Sequence, residues 1–166
     1  MKKLYTLSFF LVSFICFSQC PPDDIILNNQ NDIDNFSINY PNCTALNAGL
    51  TITGSDITNL SPLSVIETVD GNLSIAENPS LLDITGFDSI EDIGQSLYIK
   101  DNLSLIDISG FSNLVTIEKD LNIRDNSSLT NIRGFNNLAS IGDDFFLRDN
   151  TSLIDKPIVY AVSRYI

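Results

Sequence analysis

The residues with most scope for chemistry are carboxylates repeated at one step. Glu77, Asp101, Asp125 and Asp149 recur every 24 residues, and Asp83, Asp107 and Asp155 keep the same step, with Asn131 interrupting. Carboxylates stacked about 5 Å apart can share calcium, a cation that takes several oxygen ligands. Lys100, Arg124 and Arg148, however, stand one residue before three members of the first column and neutralise it. The pattern therefore reads as a solvated turn with paired charges, and no metal site is expected. The Gly-Gly-x-Gly-x-Asp nonapeptide of calcium-binding repeats is absent. Catalysis has little to start from. The chain has no histidine, the commonest general base, and no glycine-rich phosphate loop. Ser80, Ser104, Ser128 and Ser152 each precede a leucine at the same step and read as turn residues, not nucleophiles. No enzyme activity and no cofactor are expected.

Positioning these residues falls to a repeat. Segments 71–94, 95–118, 119–142 and 143–166 overlay at a 24-residue step, giving seven apolar columns. Leu50, Leu73, Leu97, Leu121 and Phe145 form one, and Ile52, Ile75, Ile99, Ile123 and Leu147 the next. Leu63, Phe87, Phe111 and Phe135 form another, and Leu46, Val69, Ile93, Ile117 and Ile141 close the circuit. One residue is missing near Gly54. A single 24-mer cannot bury its apolar side, whereas stacked units place like over like and make one core. The Leu-x-Ile pair alternates in-out-in, so each unit holds a short strand paired in parallel with its neighbours. The later Ile-x-Gly-Phe-x-x-Leu-x-x-Ile stretch has three-residue spacing and reads as a turn or tight helical piece. Gly86, Gly110 and Gly134 are expected to take a backbone conformation that a β-carbon would obstruct.

Asn78, Asn102, Asn126 and Asn150 form a polar column three residues after the inward Ile or Leu. Its period favours an inward asparagine ladder whose amides satisfy backbone groups at a bend. The rival reading is glycosylation, since Asn102, Asn126 and Asn150 are also formal acceptor sites.

The outward side of the parallel sheet is the best binding candidate. Alternation from Leu97 and Ile99 points Ser96, Tyr98 and Lys100 outward, with Asp120, Asn122 and Arg124, then Asp144, Phe146 and Arg148 as equivalents. Tyr98, Asn122 and Phe146 beside Lys100, Arg124 and Arg148 mix aromatic area with cations, a combination suited to protein or glycan contact.

The ends differ from the middle. Residues 1–18 read as an export signal: Lys2 and Lys3, an apolar run, then Cys16-Phe17-Ser18 as a small-x-small cleavage site. The run is shorter than a membrane-spanning helix needs, and no later stretch reaches that length. The alternative is a lipoprotein acylated at Cys20, against which Gln19 stands where a small residue is usual. Cleavage removes Cys16 and leaves Cys20 and Cys43, which in an exported protein read as one disulfide. It also leaves seven basic against 21 acidic residues, a net charge of −14. Nucleic acid and anionic membrane surfaces are thus poor partners. Residues 19–48 read as an N-terminal cap, with Ile33, Phe36 and Tyr40 on one face of a helix that Pro41 ends. Repeats occupy 49–155, and 156–166 reads as a closing helix beginning at Pro157.

The Leu-x-Ile-x-x-Asn-x-Ser-Leu unit with its Phe column resembles leucine-rich repeats, and more closely the receptor L-domain-like repeats of secreted Bacteroidetes proteins. Residues 30–44, followed by Gly49-Leu50-Thr51-Ile52, are similar to the N-terminal cap of that group. The likeness spans roughly residues 20–153. It implies a right-handed parallel β-solenoid with short helical caps, displayed at the cell surface or secreted, and carries over no catalytic residue. The expected function is an extracellular recognition or adhesion module. The alternatives are a polysaccharide-active β-helix enzyme and a purely structural surface protein.

Overall fold

The structure, a computed structural model, describes residues 20–154. The expected export signal, the closing helix over 156–166 and Asp155 lie outside them. Two parallel sheets dominate. Strands β1 (Ile25–Leu27), β3 (Leu50–Ile52), β5 (Leu73–Ala76), β7 (Leu97–Lys100), β9 (Leu121–Arg124) and β11 (Phe145–Arg148) form a six-stranded sheet in that spatial order. Between them in the chain run β2 (Ala45–Leu46), β4 (Thr68–Val69), β6 (Asp92–Ile93), β8 (Thr116–Ile117) and β10 (Ser140–Ile141), which form a five-stranded sheet. Register is set by the columns: Leu73 pairs with Leu97 and Leu97 with Leu121, Ile75 with Ile99 and Ile99 with Ile123. A one-residue slip would turn these side chains out of the core, so the alternation itself specifies the pairing.

The second sheet was not foreseen as one. Each of its strands has two residues and turns only one inward, too few for an alternation signal. The segment with three-residue spacing forms 3-10 turns at Ser61–Leu63, Ser109–Phe111 and Arg133–Phe135. Its phenylalanines stack, with ring centroids 5.6 Å apart for Phe87 and Phe111 and 5.5 Å for Phe111 and Phe135. Such pairs contribute about 0.5–1.5 kcal/mol beyond their burial. The glycine before each ring answers mainly to proximity. A β-carbon on Gly110 or Gly134 would lie 1.9 or 1.8 Å from the carbonyl oxygen of Ile84 or Ile108 in the preceding unit, and only Gly86 has a positive φ.

The asparagine column is an inward ladder. Asn78, Asn102 and Asn126 are fully buried. Asn102 Nδ2 donates to the Ile75 carbonyl at 2.9 Å, and Asn102 Oδ1 accepts from the backbone N–H of Asn78 at 3.1 Å. Asn126 repeats this one unit on, donating to the Ile99 and Arg124 carbonyls at 2.9 and 3.0 Å and accepting from the Asn102 N–H. An amide committed in this way cannot carry a glycan in the folded chain, which removes the rival reading at Asn102 and Asn126. The residue before each ladder asparagine turns the corner in the left-handed region: φ is 59° at Glu77, 58° at Asp101 and Asp125, and 55° at Asp149. The missing residue near Gly54 is this one. The Gly54 N–H still reaches Asn78 Oδ1 at 2.9 Å, with no left-handed residue before it.

The N-terminal segment departs from expectation twice. It supplies β1, whose Ile25 and Leu27 pair with Leu50 and Ile52 and extend the large sheet by one strand. The single helix is instead two short ones, α1 (Gln30–Asp34) and α2 (Phe36–Asn39), meeting at Asn35. Ile33 and Phe36 are buried as read, and the Tyr40 ring lies 5.2 Å from that of Phe36. Asn29 caps α1 by accepting from the Asp32 N–H at 2.9 Å. Cys20 and Cys43 form a disulfide, with Cα atoms 4.9 Å apart.

Candidate functional site

The outward face of the large sheet assembles as two parallel rows. Across β7, β9 and β11, Tyr98, Asn122 and Phe146 are register neighbours, and so are Lys100, Arg124 and Arg148. All six residues predicted from the sequence thus share one patch on three adjacent strands. Toward β1 the first row continues as Ser74, Thr51 and Ile26, and the second reaches Ala76. The patch is therefore confined to the C-terminal half of the sheet. Inward Leu97, Ile99, Leu121 and Ile123 lie beneath it in the core, so its floor is rigid.

The side chains are held to different degrees. Tyr98, Lys100, Asn122, Arg124 and Phe146 are half-buried and Arg148 is exposed. The Arg148 guanidinium lies 5.5 Å from the centroid of the Phe146 ring, a cation–π contact. Arg124 Nη1 lies 2.7 Å from Asp125 Oδ2, a salt bridge. Pairing of the cation row with the acidic corner is thus realised in one unit, while Lys100 and Arg148 form no ion pair among the described residues. Asn122 Oδ1 is buried without a hydrogen bond, alone in this among buried side-chain oxygens and nitrogens of the described residues. An unpaired buried acceptor costs about 1–3 kcal/mol. Stability does not explain an asparagine there.

One expectation fails at the entrance to the strands. Ser96 is buried, at 3% exposure, and does not face outward. The chain is still bending there, so strand alternation cannot be extended past Leu97. Ser96, Asp120 and Asp144 belong to a second ladder. Asn72 Oδ1 accepts from the Ser96 N–H at 3.0 Å, Ser96 Oγ from the Asp120 N–H at 3.2 Å, and Asp120 Oδ1 from the Asp144 N–H at 3.0 Å. Asp24 does the same for Gly49 at 2.7 Å.

The acidic columns have structural roles. Glu77, Asp101, Asp125 and Asp149 make the left-handed corner, a conformation that aspartate tolerates better than most residues. Asp107 Oδ1 accepts from the Ser109 N–H at 2.9 Å and Asp83 Oδ1 from the Thr85 N–H at 3.1 Å, each initiating the next turn. Among the described residues no group of three metal-ligating side chains is brought together. Ser80 and Ser128 donate to carbonyls of the preceding unit, at 2.8 and 2.6 Å, as turn residues do.

Two surface features escaped the sequence reading. Glu67, Thr68, Ser89, Glu91 and Asn113 line an open polar groove of about 400 Å³ beside β4 and β6. Leu82 and Ile106, 24 residues apart, stay more than two-fifths exposed, as does Leu103. Among the described residues no helix is long and apolar enough to cross a membrane. Comparison with protein-family models, with curated proteins and with solved structures finds no match.

Proposed function

We propose that this chain is an exported recognition or adhesion module, a right-handed solenoid of leucine-rich type that binds an extracellular protein or glycan through the outward face of its large sheet. One observation carries the reading: Tyr98, Asn122, Phe146, Lys100, Arg124 and Arg148 meet on three adjacent strands. Of the five lysines and arginines among residues 20–154, three stand in this one row, on a chain whose net charge is −12. Export is supported by the basic-apolar start of the sequence and by the disulfide, a bond that persists in oxidising compartments. Right-handedness is the near-universal hand of parallel crossovers. The six side chains project from the core, so shortening them leaves no cavity.

The test is retention of partners from the native surroundings by the immobilised protein, compared with a Tyr98→Ala/Phe146→Ala double variant. Interface anchors of this kind contribute about 1–3 kcal/mol, so the variant should lose most retention while keeping its circular-dichroism spectrum and melting temperature. Undiminished retention would move the site off this face.

A further inference from the structure

We propose that the ligand of this face, granted that the face binds at all, is a linear acidic polysaccharide lying across the strands, one sugar to each repeat unit. Lys100, Arg124 and Arg148 are direct neighbours on β7, β9 and β11. Like charges side by side on adjacent strands repel. Asp125 compensates Arg124, but Lys100 and Arg148 make no ion pair among the described residues. The row is thus a line of positive charge on an otherwise acidic chain, and its complement is a line of negative charge with the same period.

That period suits a polysaccharide backbone. Parallel strands repeat every ~4.8 Å, close to the advance of one unit in an extended pyranose chain. The neighbouring row fits a sugar as well. Tyr98 and Phe146 offer ring area to the apolar faces of pyranoses, and the Asn122 amide between them offers a donor and an acceptor to hydroxyls. The unpartnered Asn122 Oδ1 gains a hydrogen bond if the amide turns toward such a hydroxyl. Asp101, Asp125 and Asp149 on one flank and Asp120 and Asp144 on the other repel a polyanion and confine it to this line.

The face is three strands wide in its charged part, which sets the expected length dependence. Calorimetric titration would use the full exported chain with galacturonate oligomers of two to six units, a sulfated glucan and neutral cello-oligomers. The uronate oligomers should bind, with affinity rising to about three units and little thereafter, and added salt should weaken them. Binding of the sulfated glucan but not the uronates would keep the acidic-polysaccharide class and reassign its anion to sulfate. Lys100→Ala/Arg148→Ala should lower affinity about ten-fold or more, with unchanged melting temperature. Glu67→Gln, on the remote groove, should leave binding as it was.

Three failures separate the claims. If a neutral glycan or a protein is held and Tyr98→Ala/Phe146→Ala releases it while Lys100→Ala/Arg148→Ala does not, the face stands and the acidic polysaccharide is overturned. If ligands are held equally by both double variants, the face itself is wrong. If neither the uronates nor the sulfated glucan binds the parent chain, the acidic-polysaccharide inference is also overturned.

Discussion

The two corners that flank the large sheet solve the same problem with different freedom. At each, a side-chain oxygen accepts the backbone N–H of the equivalent residue in an adjacent unit. At the exit corner the residue is asparagine in Asn78, Asn102, Asn126 and Asn150 alike. At the entrance corner it is aspartate, asparagine or serine, in Asp24, Asn72, Ser96 and Asp120. The exit side chain must also donate, because carbonyls of buried residues such as Ile75 and Ile99 point at it. A short amide accepts there while donating to two carbonyls, which a hydroxyl with its single proton cannot do. The entrance needs an acceptor alone, and three residue types supply one. The chemistry required at a position, more than its burial, decides how strictly a repeat holds its residue.

Replacing Asn126 by aspartate should have the largest effect. The carboxylate cannot donate to the Ile99 and Arg124 carbonyls, and a buried charge is added. A loss of about 3–4 kcal/mol is expected in urea unfolding; a loss below about 1 kcal/mol would mean that the exit corner tolerates an acceptor alone. Ser96→Ala removes one acceptor and should cost about 1 kcal/mol, leaving the Asp120 N–H unpaired.

The residue before the exit asparagine sharpens the contrast. Glu77 holds φ at 59°, where a β-carbon is strained, so Glu77→Gly should raise stability by about 0.5–1 kcal/mol. Asp125→Gly should gain less, because it also removes the ion pair with Arg124. The smallest change belongs to the entrance. Asp120→Asn keeps an acceptor and should stay within about 0.5 kcal/mol of the parent. A larger loss would show that charge, and not acceptance, is what that corner uses.

The candidate face repeats the lesson. Tyr98 and Phe146 were legible because both sit between inward residues, where alternation holds. Ser96 was misread because the same rule was carried one residue beyond the strand, into the bend. β1 was overlooked because Ile25–Leu27 stands alone before the cap helices and lies 25 residues before Leu50, out of the common step.

By itself the sequence determined the seven columns, and with them the in-register parallel stacking, the buried phenylalanine stack and the asparagine ladder. Each is a position where one chemical demand recurs in every unit, so one residue type recurs with it and the period becomes visible. Tertiary structure alone decided the rest. It determined that two-residue strands join into a second sheet, that Glu77 and the aspartates of its column turn a left-handed corner, and that Asn122 Oδ1 is buried unpaired. It also placed Glu67 and Glu91 together on a groove. These depend on the direction in which the backbone bends between columns. Bending direction follows from how stacked units pack against one another, and several residue types satisfy it equally, so it leaves no single-letter period to read.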